Sequence, residues 1–140
     1  MAGIGAYRAV PDVAADASPH TGMAVVTSSR AGRYTISGSG GTSASAPLWA
    51  GLVALADQYA GRHLGFVNAA LYRIGHSRLY HDAFHDVTAG NNTVRFPPRT
   101  INGYHAAGGW DAVTGWGSPN ATTLVPLLAR SVHPDDAKGL

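Results

Sequence analysis

"SGSGGTSASAPLWAG", residues 37–51, sets four serines among glycines and alanines and then runs into a proline and an apolar segment. By composition it is a flexible linker. By order it is a tight glycine turn that hands the chain to a helix, with a serine at the junction. A serine hydroxyl is a weak nucleophile and needs a neighbouring base, together with donors aimed at the oxyanion it creates. Glycines permit a turn that side chains would block, and a helix N-terminus offers free N–H groups and a positive dipole end. The plainer alternative is that Ser39, Ser43 and Ser45 only cap the helix.

The surroundings favour a packed domain. The chain has 140 residues, 45% of them hydrophobic, which is one domain's length with enough apolar content for a core. Its net charge is +2, from ten basic and eight acidic residues, and no basic run stands out. Nucleic acid and anionic membrane are therefore not the expected partners. Cysteine is absent, which removes disulfides and thiolate metal sites. No segment approaches the ~20 apolar residues of a membrane helix, and residues 1–13, MAGIGAYRAVPDV, show no export signal. All eight acidic residues are aspartates; glutamate is absent.

Along the chain, residues 10–15 (VPDVAA) predict a short buried strand entered through a proline, and residues 16–22 predict a turn containing His20. MAVVTS and RYTISG, separated by SRAG, predict a hairpin that delivers the chain into the glycine stretch. The apolar spacing of Leu48, Leu52, Leu55 and Tyr59 predicts a largely buried helix over residues 46–59, with Pro47 in its first turn. A second helix is predicted over 67–74 with Asn68 as N-cap, and a last one over 121–129, with loop-rich sequence between. A domain over residues 1–130 with a polar, flexible tail at 131–140 follows, and no internal repeat is present.

The wording GTSxSxP is narrower than "glycine and serine". It resembles the active-serine motif of the subtilisin-like superfamily, and within that superfamily it is most similar to the sedolisins, the serine-carboxyl peptidases, whose version reads GGTSASAPLWAGL or close to it. Arg8, Pro11, Asp12, Val13 and Ala14 reproduce their RxxPDVAA segment, and residues 64–72, LGFVNAALY, are similar to their LGxLNPxLY, with Ala69 where proline is common. The resemblance covers residues 8–130. It implies an α/β, subtilisin-like fold, here the C-terminal portion of a parallel-sheet catalytic domain. It also implies Ser43 as nucleophile, Ser45 as a structural helix residue, a polypeptide substrate, and an extracellular location by analogy.

Residues 84–92, FHDVTAGNN, and 106–117, AAGGWDAVTGWG, place two aspartates beside turn-forming residues. Calcium takes about six to eight oxygens from carboxylates, carbonyls and water, and glycine-rich turns let carbonyls converge. Either aspartate alone reads as a turn cap. By resemblance to the sedolisin calcium site, one Ca2+ would be held by the carboxylates of Asp86 and Asp111 and the main-chain oxygens of Val87, Ala107 and Gly109. Glycine is frequent in the family at the position of Ala107, so the site requires that residue 107 not adopt a positive φ. HDAFH, residues 81–85, has the histidine spacing of a zinc motif, but its acid is Asp and its flanks do not read as helix. His81 and His85 are expected to be exposed loop residues.

In sedolisins a glutamate is the general base, an aspartate supports it, and a second aspartate assists the oxyanion hole, all upstream of the serine segment. This chain, with no glutamate, is expected to lack them and to be inactive alone. Asp12 and Asp16, the only acids before Ser43, occupy ordinary positions of PDVAADA. A partner carrying the missing N-terminal half is expected to cover exposed sheet edges. The alternative is a catalytically inactive calcium-binding or interaction module. A subtilisin with a histidine base is disfavoured by the calcium pattern and the wording of the flanks.

Overall fold

The computed structural model describes residues 8–131. The polar tail expected from residue 131 therefore lies outside the described residues, except for Ser131 itself. The elements are β1 (Met23–Ser28), β2 (Tyr34–Ser39), α1 (Thr42–Ala60), α2 (Asn68–Gly75), α3 (Tyr80–Ala83), β3 (Phe84–His85), β4 (Val94–Phe96), β5 (Arg99–Ile101), β6 (Ser118–Pro119) and α4 (Ala121–Ser131). Helices and strands are mixed, as the α/β expectation requires. Among the described residues the sheets are three antiparallel pairs, β1–β2, β3–β6 and β4–β5, and no parallel ladder is present.

The predicted hairpin forms with Met23 opposite Ser39 and Ser28 opposite Tyr34, one residue later on its second strand than the pattern suggests. Residues 10–15 do not form a regular strand. Among the described residues their extended backbone has two main-chain bonds, in which the Ala14 N–H donates to the Gly117 carbonyl (2.9 Å) and the Trp116 N–H donates to the Asp12 carbonyl (2.9 Å). Two such bonds to a loop do not make a ladder.

Helix α1 starts at Thr42, four residues before the expected start, so Ser43 belongs to its first turn and Pro47 lies inside it. It stops at Gly61, a left-handed residue (φ 65°) whose N–H returns to the Gln58 carbonyl. The expectation of a largely buried helix fails: Ala44, Leu52 and Ala56 are buried, whereas Leu48, Leu55 and Tyr59 are 45%, 55% and 58% exposed. Periodicity identified the apolar face correctly, but within the described residues only part of that face meets another element. Helix α2 begins at Asn68 with Val67 as its cap, and the Asn68 amide does not cap. It donates instead to Asp12 (2.7 Å), which also receives the Tyr72 hydroxyl (3.0 Å) and Arg8 (2.6 Å).

The core lies between α1, α2, α3 and α4, around Leu52, Leu71, Phe84, Trp116, Leu124 and Leu128. Trp116 is its organising ring, with Tyr72 and Tyr80 edge-on to it. Gly75 is required there, because a Cβ would stand 2.4 Å from the indole.

Candidate active site and cation loop

The backbone places Ser43 before any chemistry is invoked. Gly41 has φ 82°, the left-handed region that glycine adopts freely, and its N–H donates to the Ala17 carbonyl (2.6 Å). Gly40 faces the backbone of Ser18 and Pro19 so closely that a Cβ would stand 2.6 Å away. These two glycines press the turn against residues 17–19 and aim the helix. Its first turn is then stitched down. The Ser45 hydroxyl donates to the carbonyls of Ala15 (3.3 Å) and Asp16 (3.1 Å), and the Trp49 indole donates to the Ala14 carbonyl (3.0 Å). Ser45 is thus a structural residue, as the resemblance implied.

The capping alternative fails on the same geometry: Gly41 is the N-cap and no side chain caps the helix. Ser43 is exposed, and among the described residues its hydroxyl has no hydrogen-bond partner. The N–H groups of Thr42 and Ser43 have no backbone acceptor there, leaving the positive end of a 19-residue helix open beside the hydroxyl. Pro47 withholds the N–H that would otherwise close on the Ser43 carbonyl. Among the described residues no acid or histidine contacts Ser43. His20 sits exposed in its turn, its N–H on the Ser18 hydroxyl (3.1 Å). Asp16 is engaged locally, and its carboxyl is held below its ordinary range by the Thr21 hydroxyl and the Ser18 N–H.

The second constellation lies where β3 ends and the loop before β6 begins. One Asp86 oxygen accepts the Gly109 N–H (2.9 Å), and its other oxygen is buried without a partner. Asp111, 6% exposed, accepts the N–H groups of Ala107 (3.0 Å), Val113 (2.8 Å) and Thr114 (2.8 Å). Residues 107 and 109 therefore wrap around both carboxylates, with Val87 following Asp86 directly. Ala107 has no positive φ, since only glycines do among the described residues, so alanine is unstrained there. Neither carboxylate pairs with a basic side chain: the ion pairs among the described residues are Arg8–Asp12 and His63–Asp57. Two acids, one buried, without a counter-cation and with an orphaned oxygen, fit a hard cation bound by oxygen. Among the described residues no three His, Cys, Asp or Glu side chains come together, so such an ion would complete its shell from main-chain oxygens.

Sequence reading missed Tyr80. Its hydroxyl is buried beside this loop, and burial, then the Asp86 carboxylate, push its ionisation far above the ordinary phenol range. It lies on α3, a single turn too short to show periodicity. His81 on α3 and His85 on β3 are both exposed, and the helix ends at Ala83 between them, so they share no helical face.

The serine turn and the loop of Asp86 and Asp111 are joined through residues 11–17. That segment carries Ser45 and Trp49 on one side, and on the other it takes the Trp110 indole on the Pro11 carbonyl (3.1 Å) and the main chain of Trp116 and Gly117. Gly115 (φ 59°) lies against the Asp12 carbonyl, where a Cβ would stand 2.2 Å away.

Known proteins share this stretch. Kumamolisin of Bacillus sp. (strain MN-32) is 43% identical over 129 residues, which are 92% of this chain and 21% of that protein. Tripeptidyl-peptidase sed1 of Aspergillus fumigatus is 37% identical over 125 residues, 86% of this chain and 17% of its own. Tripeptidyl-peptidase 1 of Homo sapiens is 36% identical over 126 residues, 86% and 20%. No family model matches the chain. Peptidases are thus the class to which its relatives belong. The chain is a member of the sedolisin family and spans about a fifth of the length of the curated relatives it matches.

Proposed function

We propose that this chain is the serine-bearing, C-terminal part of a sedolisin-type serine peptidase of subtilisin-like fold, acting on polypeptides outside the cell. The observation that carries the reading is Ser43: exposed, uncommitted to any hydrogen bond, and set on the first turn of α1 beside two N–H groups without backbone acceptors. Its hydroxyl oxygen would attack the scissile carbonyl and pass its proton to a carboxylate base. The resulting oxyanion would fall at the open helix end, where N–H groups stabilise negative charge without reorganising. The intermediate collapses as the C–N bond breaks, the leaving amine takes the proton from that base, and water then hydrolyses the ester on Ser43, releasing the acid and restoring the serine hydroxyl.

The base lies outside these residues. The chain contains no glutamate, and no acid approaches Ser43 among the described residues. A carboxylate base also implies action in acid, because it needs no neutral imidazole. The partner supplying it is the N-terminal half of the catalytic domain. One Ca2+ fits at Asp86 and Asp111 with the main-chain oxygens of Val87, Ala107 and Gly109. When bound it supplies a counter-charge to both carboxylates and ties down a loop with little core of its own.

Two measurements test this reading. The purified chain incubated alone with an unfolded protein at about pH 4 with calcium is expected to leave it intact; cleavage that Ser43→Ala abolishes would contradict the missing base. Calorimetric titration is expected to show saturable calcium binding that Asp86→Asn weakens, and a folded sample without calcium affinity would remove the ligand assignment.

A further inference from the structure

Among the described residues three side-chain polar atoms are buried without a hydrogen-bond partner: the Tyr80 hydroxyl, Oδ1 of Asp86 and the Trp116 indole N–H. Two of them are complementary, since a phenol O–H donates and a carboxylate oxygen accepts. The fold brings these two to one place. The Tyr80 ring stands edge-on to Trp116, centroids 5.4 Å apart, and lies 5.9 Å from Phe84, two residues before Asp86. Gly117, which follows Trp116, packs on Asp86 itself: a Cβ there would stand 3.3 Å from the Asp86 Cα. Burial, then Asp86 and lastly Asp111 hold the proton on the Tyr80 hydroxyl, so the group meets this loop as a donor. A buried hydroxyl without a partner is costly. The acceptor beside it that also lacks one is Oδ1 of Asp86.

The two acids differ in how firmly they are held. Asp111 is fixed at both oxygens, Oδ2 by the Ala107 N–H and Oδ1 by the N–H groups of Val113 and Thr114. Asp86 is fixed at one, where Oδ2 accepts the Gly109 N–H (2.9 Å). A carboxylate pinned at a single oxygen keeps rotational freedom that an incoming ion must remove. An outer hydrogen bond removes it in advance, and a carboxylate has lone pairs enough to accept one at each oxygen and still bind a cation. We propose that Tyr80 is a positioning residue for the calcium ion at Asp86 and Asp111: its hydroxyl donates to Oδ1 of Asp86 and fixes that carboxylate for the ion. The proposal rests on the reading of this loop as a calcium site.

The test is calorimetric titration of the whole chain with calcium chloride. Tyr80→Phe keeps the ring and removes only the hydroxyl, and it is expected to weaken calcium binding at least about tenfold, as loss of an outer-shell partner does. Tyr72→Phe is the control. Its ring is edge-on to the same indole (5.7 Å), but its hydroxyl goes to Asp12 (3.0 Å), so this variant is expected to bind calcium as wild type. General loosening of the core around Trp116 would weaken both variants alike. A second readout needs no variant: the NMR spectrum of the calcium-loaded wild type is expected to show an exchange-protected hydroxyl proton in contact with the Tyr80 ring. Calcium binding by Tyr80→Phe equal to or tighter than wild type, equal weakening by Tyr72→Phe, or absence of that protected proton would each overturn the proposal. A folded wild type with no calcium affinity would instead remove the calcium reading, and the positioning role with it.

Discussion

The two ends of this molecule are built on opposite terms. Around Trp116, side chains do the holding: Phe84, Leu124 and Leu128 are fully buried, two tyrosines pack edge-on to the indole, and Gly75 is small because the indole fills its space. Around Ser43, backbone and single polar bonds do it: Gly41 to Ala17, Ser45 to Ala15 and Asp16, Trp49 to Ala14. The hairpin leading into the serine turn has Tyr34 77% and Ile36 73% exposed. Stability is therefore concentrated around Trp116 and the loop of Asp86 and Asp111, with residues 11–17 as the mechanical link to the serine turn. On the proposed reading, the serine site takes its base from the remainder of the peptidase.

The contrast can be attacked at its strongest point first. Leu124→Ala empties a fully buried position and is expected to cost about 2–5 kcal/mol in denaturant unfolding; a cost below about 1 kcal/mol would mean that the core is not where it is placed. Gly115→Ala tests the link. A Cβ at φ 59° pressed into the Asp12 carbonyl is expected to cost about 1–3 kcal/mol and to move the Trp110 and Trp116 fluorescence, since both indoles belong to that junction. An unchanged spectrum would uncouple the loop from residues 11–17.

Weaker effects belong to the periphery. Asp57 closes α1 by accepting the Leu64 N–H (2.9 Å) and facing His63 (3.0 Å), and these partners, Leu64 first, hold its carboxyl below the ordinary range. A depressed folded value means that its contribution is present above the unfolded value of about 3.9 and is lost as pH falls through the folded one. Asp57→Asn should therefore differ from wild type at neutral pH and converge with it in acid; a gap constant between about pH 6 and pH 2 would show that the carboxylate charge contributes nothing. Ser43→Ala sits last. With no hydrogen bond to lose, it should shift stability by less than about 0.5 kcal/mol, and a larger loss would make Ser43 a structural residue after all.

Legibility in the sequence followed the same division. The hairpin could be read because two β-branched runs flank SRAG, and the serine turn could be read because its glycines occupy positions that side chains would clash with or strain. The start of α1 was misplaced because Thr42, Ser43 and Ser45 are poor helix formers and Pro47 mimics a first-turn proline. Burial of Leu48, Leu55 and Tyr59 was misjudged for a different reason: periodicity defines an apolar face but not what covers it. Strand 10–15 failed similarly, since its main-chain hydrogen bonds among the described residues reach only Trp116 and Gly117, and two bonds to a loop do not make a ladder. In the loop before β6 and at the end of β3, Asp111 and Asp86 were visible as turn-flanked acids. Tyr80 was not, because nothing near it in sequence signals that it folds against them.

The central claim is that Ser43 is a nucleophile whose base comes from outside this chain. The most direct measurement replaces the shared stretch of the Bacillus Kumamolisin with residues 1–140 of this chain and follows digestion of an unfolded protein at about pH 4. The chimera is expected to cleave, and its Ser43→Ala variant, equally folded, to lose all but a trace of that activity. Undiminished cleavage by the Ser43→Ala chimera would contradict the claim.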